Sequence, residues 1–489
     1  MTAESYDAIV IGSGAGGAAC AYRLVKGGLK VLMLEKGDYL PTDGSTLDTK
    51  RVVEKGEFLS HERWVDGYGR PVIPQEHFNV GGKTKWYGAA LLRLAAREFE
   101  TDGPYGCTGW PLGLADFAPY YAEAEKLLEV HNFVCEPDLA RILKRAASRS
   151  SDWRSEPMPM GLASDITSDP LEATHFDGFA SARGLKNDAE HSFLSPLAGA
   201  ENFLLQTNAE VTTLLSSART PFTLTGVRLA DGREFRAPRI FLAAGALHSP
   251  RLLVRFSFAA RVGTSVPPPE LAGRHLKLHL LTAMVSVGTR RVEDVIRKTV
   301  ILTNELYPHS SVQPLGFDGE VISTLIPKLV PRFLAREVAC RAYGFFLQTE
   351  DASDPRNRVL DARDGRAGLP VLDYDEQRMP HALREHRALT RAFKRALRKG
   401  GLLSFTQRIG LAGTAHACGT LRCGHNVSDS MVDTEGRVRG TQGLYVVDGS
   451  ILPRIGRMNP SLTIYAWGLR VGELVAKQFG QEQSDSAQR

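Results

Sequence analysis

The sequence predicts an α/β protein in two parts: a Rossmann-like dinucleotide-binding domain and an α+β second domain built on an antiparallel sheet. Three observations carry this. A strand, a glycine-rich turn, a small-residue helix and a second strand ending in an acid follow one another over residues 6–35. Another strand–glycine–helix pattern begins at Arg239, as when such a domain resumes after an insertion. Short runs alternating apolar and polar residues fill 276–350, the pattern of half-buried antiparallel strands.

The first unit is the most specific. Residues 6–11, Tyr-Asp-Ala-Ile-Val-Ile, suit a buried parallel strand. Gly12-Ser13-Gly14-Ala15-Gly16-Gly17 follows, then a helix over 18–26 stopped by Gly27-Gly28, then a strand over 30–35. Gly12 permits the tight turn, Gly14 lets backbone approach a pyrophosphate, and Gly17 lets the helix pack on the strand. The helix start offers free N–H groups to the diphosphate. Glu35, 23 positions after Gly12, stands where an acid grips ribose hydroxyls and would repel a 2′-phosphate. These features predict FAD or NAD and argue against NADP.

Composition narrows the rest. A chain of 489 residues exceeds what one core usually serves. Its 43% hydrophobic and 24% charged residues exclude a disordered, collagen-like or coiled-coil chain. A net charge of +5 with mixed signs lacks the basic stripe of a nucleic-acid binder. Six scattered cysteines, with no CxxC, read as free thiols in a reducing compartment, and no haem motif is present. With no signal peptide and no apolar run near the ~20 residues of a spanning helix, the expectation is a cytoplasmic protein without a transmembrane segment.

Further along, Val80-Gly81-Gly82-Lys83-Thr84-Lys85-Trp86-Tyr87-Gly88 is a second glycine-rich stretch, fit to lie under a flat ring or a phosphate. Residues 203–211 and 227–235 suggest a β-hairpin region, and 239–250 a strand, the Ala244-Gly245 turn and a helix. Residues 264–270 read as a rigid exposed loop. The runs 280–287 and 321–326 read as strands of the second domain, and 381–399 as a basic amphipathic helix with Leu383, Leu389, Phe393 and Leu397 inward. Gln313, Gln348 and Glu350 are candidates to face a substrate. His275 and His279 are four apart, but no third ligand is evident, so no metal is expected. Cys418 and Cys423 read as small packing residues.

The C-terminal part holds His416-Ala-Cys-Gly-Thr-Leu-Arg-Cys-Gly424, then Leu444-Tyr-Val-Val-Asp448-Gly449-Ser-Ile-Leu-Pro453, then Met458-Asn459-Pro460-Ser461-Leu462-Thr463, which enters a helix reaching about 477. Asn459 before Pro460 is good helix-capping chemistry. With the N-terminal unit, these segments resemble the glucose–methanol–choline (GMC) family of FAD-dependent oxidoreductases. HACGTLRCG resembles the family's HPxGTxRxG, and LYVVDGSILP with MNPSLTI resembles its flavin-wrapping segment. VGGKTKWYG and AAGALHSPRLL resemble its inner flavin segments, and LAGRHLKLH the motif that leads into the substrate domain. The likeness spans almost the whole chain in order and is loosest over 276–400.

The resemblance implies oxidation of an alcohol by hydride transfer to flavin. His416 falls on the active-site histidine and Asn459 on its partner, as in the His/Asn-type members that include pyranose oxidase, cholesterol oxidase and fructose-dehydrogenase-like chains. Asn cannot act as a base, which leaves His416 to take the hydroxyl proton while Asn459 orients the substrate. The implied cofactor set is Gly12, Gly14, Gly17, Glu35, Gly81, Gly82, Val211, Ala244, Gly245, Asp448, Gly449, Pro460 and Thr463. No His or Cys stands at 83–87, so FAD is expected to be noncovalent. The expected partners are a small-molecule alcohol such as a sugar, glycoside or polyol, and oxygen, a quinone or a separate redox protein as acceptor. The alternatives are a non-redox lyase on the same scaffold, an NAD-dependent dehydrogenase or an electron-transfer flavoprotein subunit. The expected division is 1–119, 191–275 and 409–480 for the FAD-binding domain, 120–190 as an insertion contributing to the substrate domain, 276–408 as that domain, and 481–489 as a disordered tail.

Overall fold

The computed structural model describes residues 5–147, 152–220, 222–260, 269–327, 329–362 and 368–487. Five short strands form one parallel sheet in the order Leu444–Val446, Ile240–Leu242, Ala8–Ile11, Val31–Leu34, Phe203–Gln206. Most of its residues are apolar and buried because helices cover both faces of such a sheet. The Gly-rich turn feeds the helix Ala15–Lys26, three residues earlier than the sequence pattern suggests.

The C-terminal helix Ser461–Ala487 packs along that first helix at distances only glycine allows. A Cβ on Gly468 would lie 2.4 Å from the Gly16 carbonyl oxygen, and one on Gly472 2.8 Å from that of Cys20. Gly16 itself has no room: its Cβ would meet the Val447 carbonyl oxygen at 1.7 Å. Gly17 is equally confined against the Gly12 carbonyl, at 2.1 Å. The glycines therefore bring the first helix, the last strand and the last helix into one packed unit.

A six-stranded antiparallel sheet forms the second body, in the order Leu403–Arg408, Leu280–Val287, Ala342–Thr349, Ser310–Pro314, Val300–Asn304, Trp153–Pro157. The helix Pro380–Lys399 lies on it through Leu389, Phe393 and Leu397, with its cations outward.

Three local expectations need correction. Residues 203–206 are not half of a hairpin but the outer parallel strand, paired with Val31–Leu34. The antiparallel unit beside it is Val211–Ser216, Leu224–Leu229 and Glu234–Arg236. Residues 321–326 are not a strand: Gly319–Leu325 is helical, because the Asp318 carboxylate caps the Val321 N–H at 2.9 Å. The final helix continues through 481–487 instead of fraying, where Ser484 and Ser486 hydroxyls donate to carbonyls four residues back and Arg239 pairs with Glu482. Of the expected loop at 264–270, residues 264–268 lie outside the described residues, and Pro269–Leu271 is a 3₁₀ turn.

Gly16→Ala should therefore destabilise the chain by about 3 kcal/mol or more, since backbone atoms cannot repack around the added methyl. Chemical denaturation against the unmodified protein measures this; unchanged stability would contradict the helix–strand contact described.

Candidate active site

The glycine turn is shaped to receive an anion. Gly12 has φ +104°, and a Cβ there would strike the Ala243 carbonyl. Gly14 differs: a Cβ on it would meet nothing within 4 Å, and it precedes a helix start with no side-chain cap and no acid in its first turn. The first N–H groups of that helix thus face open space, as a diphosphate requires. Gly81 and Gly82, both at positive φ, close on this turn, with the Gly82 Cβ position 3.2 Å from the Gly14 Cα.

Ser13 ties these parts together, a role the motif does not announce. Its hydroxyl donates to the Glu35 carboxylate at 2.6 Å and accepts the Gly81 N–H at 3.0 Å, while its own N–H also reaches Glu35. Glu35 is buried and receives the Gly37 N–H on its other oxygen. Asp448 plays a similar framing part. It accepts from the Gly245 N–H and Ser249 hydroxyl on one oxygen and from the Ser450 N–H and hydroxyl on the other. Burial raises its pKa and those four bonds oppose the rise. Ala244, Gly245, Asp448 and Gly449 therefore form one joint between the strand ends. Val211 opens its own strand and is buried.

The loop carrying His416 is pinned to the start of the second body. Cys418 and Lys277 exchange backbone hydrogen bonds of 3.0 and 2.9 Å. Gly419, Leu421 and Cys423 then run along Gly449, Ser450 and Ile451. This register brings His416 against His279, with 3.0 Å between their Nδ1 atoms. The other nitrogen of His279, Nε2, lies 2.7 Å from the Gly456 carbonyl oxygen. Burial, then His279, Lys298 and Lys83, push the His416 pKa well below the usual imidazole value, so the ring is neutral at neutral pH. Both lysines are paired, Lys298 with Asp177 at 3.1 Å and Lys83 with Glu76 at 2.6 Å. Gly88 gives this ion pair its room: a Cβ there would lie 2.2 Å from the side-chain ends of both Asp177 and Lys298 and would push them aside.

Asn459 sits two residues before the final helix, so it does not cap it as expected: the Ile464 N–H donates to the Pro460 carbonyl, which puts Pro460 in the capping position. Its side-chain oxygen instead accepts from the buried Gln313 amide. The Asn459 amide hydrogens are left to donate elsewhere. Thr463 is buried in the helix, hydrogen-bonded to Tyr121 at 2.8 Å.

A clamp holds the segment between these groups. Arg454 forms a buried bidentate pair with Glu350, at 2.8 and 2.9 Å, and also donates to the Arg97 and Glu100 carbonyls. Glu350 accepts the Gly456 N–H, Glu98 the Arg457 N–H, and Ser311 and Gln348 donate to the Arg457 carbonyl. Burial would raise the Glu350 pKa, but His309 and Arg454 outweigh it and hold the carboxyl at about 2. Of the pair noted in the sequence, His275 bonds Ser353 at 2.8 Å while His279 serves His416, so they share no ligand position. Cys107 and His309 stand near Glu350, but Arg454 already takes both its oxygens.

Residues 353–468, which include both His416 and Asn459, match the family model described as GMC oxidoreductase, and residues 10–59 match an NAD(P)-binding Rossmann-like domain. The chain is a GMC oxidoreductase. It is 29% identical to a 6'''-hydroxyparomomycin C oxidase of Streptomyces lividus, across 98% of this chain and 93% of that one. Identity to a paromamine 6'-oxidase of Streptomyces fradiae is also 29%, across 96% and 91%. The fold matches the crystal structure of pyridoxine 4-oxidase from Mesorbium loti with TM-score 0.67 at 19% identity, over 97% and 99% of the two chains. As a GMC oxidoreductase it is an FAD-dependent enzyme acting on CH–OH groups. No helix among the described residues of this GMC oxidoreductase is long and apolar enough to cross a membrane.

The cradle fits FAD, and two variants probe it and its clamp. Gly14→Ala should leave the apoprotein folded but lower FAD retention by on the order of tenfold or more, read from flavin absorbance after gel filtration. Glu350→Gln should cost about 3–5 kcal/mol, because it leaves Arg454 buried without a counter-charge. In the unmodified protein the pair contributes fully above the ordinary glutamate value of 4.5, and that contribution fades as pH falls towards about 2. Chemical denaturation across that range measures both effects.

Proposed function

We propose that this enzyme oxidises a hydroxyl of a sugar, glycoside or related polyol to a carbonyl, with His416 taking the hydroxyl proton and Asn459 orienting the substrate oxygen. The observation that carries this is the neutral His416 ring, tied through His279 to Gly456, three residues before Asn459. One group of this pair can accept a proton and the other can only donate a hydrogen bond. The sugar class is supported by two relatives whose names place a paromamine or paromomycin at the site of oxidation.

FAD bound at the Gly12–Gly17 turn, Glu35 and the Gly81-Gly82 segment supplies the two-electron acceptor for the hydride that leaves the carbinol carbon. Retention is noncovalent on this reading, since Lys83, Thr84, Lys85, Trp86 and Tyr87 offer no histidine or cysteine for a tether. The free N–H groups at the start of Ser461–Ala487 favour negative charge developing near them.

An anaerobic panel of sugars, glycosides and amino sugars, read as bleaching of the flavin band, tests the activity. His416→Ala should slow bleaching by roughly 10²–10⁴-fold while FAD stays bound. Equal rates in the two proteins would remove His416 from the role of base. Because the His416 pKa is depressed, the unmodified enzyme should keep its rate through pH 6.5 and lose it only at lower pH, as the ring takes a proton and can no longer accept one.

A further inference from the structure

We propose that His279 is a positioning residue that fixes the tautomer of His416, so that the free lone pair of His416 lies on Nε2. The inference rests on the reading of His416 as proton acceptor and adds the group that prepares it. The Gly456 carbonyl can only accept, so His279 Nε2, 2.7 Å away, carries a hydrogen. In a neutral ring His279 Nδ1 is then an acceptor. His416 Nδ1, 3.0 Å from it, must donate, and His416 Nε2 is left bare. Without the second ring, nothing on this side would choose between the two neutral forms of His416.

The local backbone is built around this contact. His279 is buried and holds φ +63°, a left-handed conformation that non-glycine residues seldom adopt and that clusters at functional sites. Lys277, two residues before it, carries the backbone bridge to Cys418, two residues after His416. Leu278 N–H is held by Asp351 at 2.7 Å, so the segment cannot turn away. The charged groups around the two rings are Asp351 and Lys277 on the His279 side, and Lys298 and Lys83 on the His416 side. Gly456, the fixed acceptor, is held in turn by Glu350 at 2.9 Å.

The direct test is ¹⁵N NMR of histidine-labelled, FAD-loaded protein, with His416 signals assigned by their loss in His416→Asn. The expected result is a protonated, pyrrole-type Nδ1 and a bare, pyridine-type Nε2 on His416. His279→Asn should preserve this form, because its side-chain oxygen can accept from His416 and Asn tolerates positive φ. His279→Phe should let the Nε2-protonated form appear. A proton on His416 Nε2 in the unmodified protein, or an unchanged tautomer in His279→Phe, would overturn the proposal. If the Phe variant does not fold, the unmodified protein and His279→Asn still decide the matter. With whichever alcohol bleaches the flavin, His279→Phe should slow reduction on the order of 10²–10⁴-fold at a similar half-saturating concentration, with His279→Asn within about tenfold of normal. Run alongside, His416→Ala separates the two ideas. Normal rates in it remove the base itself, whereas a slow His416→Ala with a fast His279→Phe removes only the positioning role.

Discussion

The buried pair of Glu350 and Arg454 is the constraint on which the site depends. Glu350 follows a strand of the antiparallel sheet, and Arg454 follows the last strand of the parallel sheet. An unpaired charge at either position would be costly in the interior, so the two bodies are held in one relation. The same carboxylate fixes Gly456 N–H, and the same guanidinium reaches the Arg97 and Glu100 carbonyls. The segment from 454 to 459 therefore has little freedom. Its carbonyl at Gly456 orients His279, its carbonyl at Arg457 receives Ser311 and Gln348, and its Asn459 receives Gln313. Residues of the sheet floor thus set side chains carried by the C-terminal segment.

What was legible in the sequence divides by the range of the interaction. The glycine turn, the strands beside it and the acid at 35 are local: each residue's requirement arises from neighbours within one supersecondary unit. The same holds for the 380–399 helix, whose period alone separates buried from exposed positions. Residues 203–206 were misread because an edge strand and a hairpin strand share one pattern, and only the partner tells them apart. Residues 321–326 read as a strand from their short alternating run, and the Asp318 cap before them makes them helical.

Within the candidate site, the motifs point to His416 and Asn459 but not to the residues that hold them. Ser13 looks like filler between glycines, yet it joins Glu35, 22 positions on, to Gly81, 68 positions on. Gln313 was one of several polar residues on apolar strands, and nothing nearby indicates that it meets residue 459. His279 was weighed with His275 as a metal pair from their spacing. The fold instead turns it to His416, 137 positions away. Such contacts exist only once two sheets have been packed together, which a local pattern cannot encode.

For the base role proposed for His416, a depressed pKa has a definite use. A lower pKa makes the ring a weaker base, which by itself slows proton transfer. It also keeps the whole population of rings neutral and ready. Lys298 and Lys83, which help to depress it, favour negative charge in the same neighbourhood. Their field therefore opposes the imidazolium and, in the proposed reaction, would stabilise an oxygen losing its proton, returning part of the loss in basicity where the substrate becomes anionic. Asp177 and Glu76 temper each lysine, which prevents the site from holding two bare cations beside a ring that must take a third charge. A second histidine at 459 could compete for the proton. An amide held by Gln313 cannot, so the proposed reaction has a single proton acceptor in this pair.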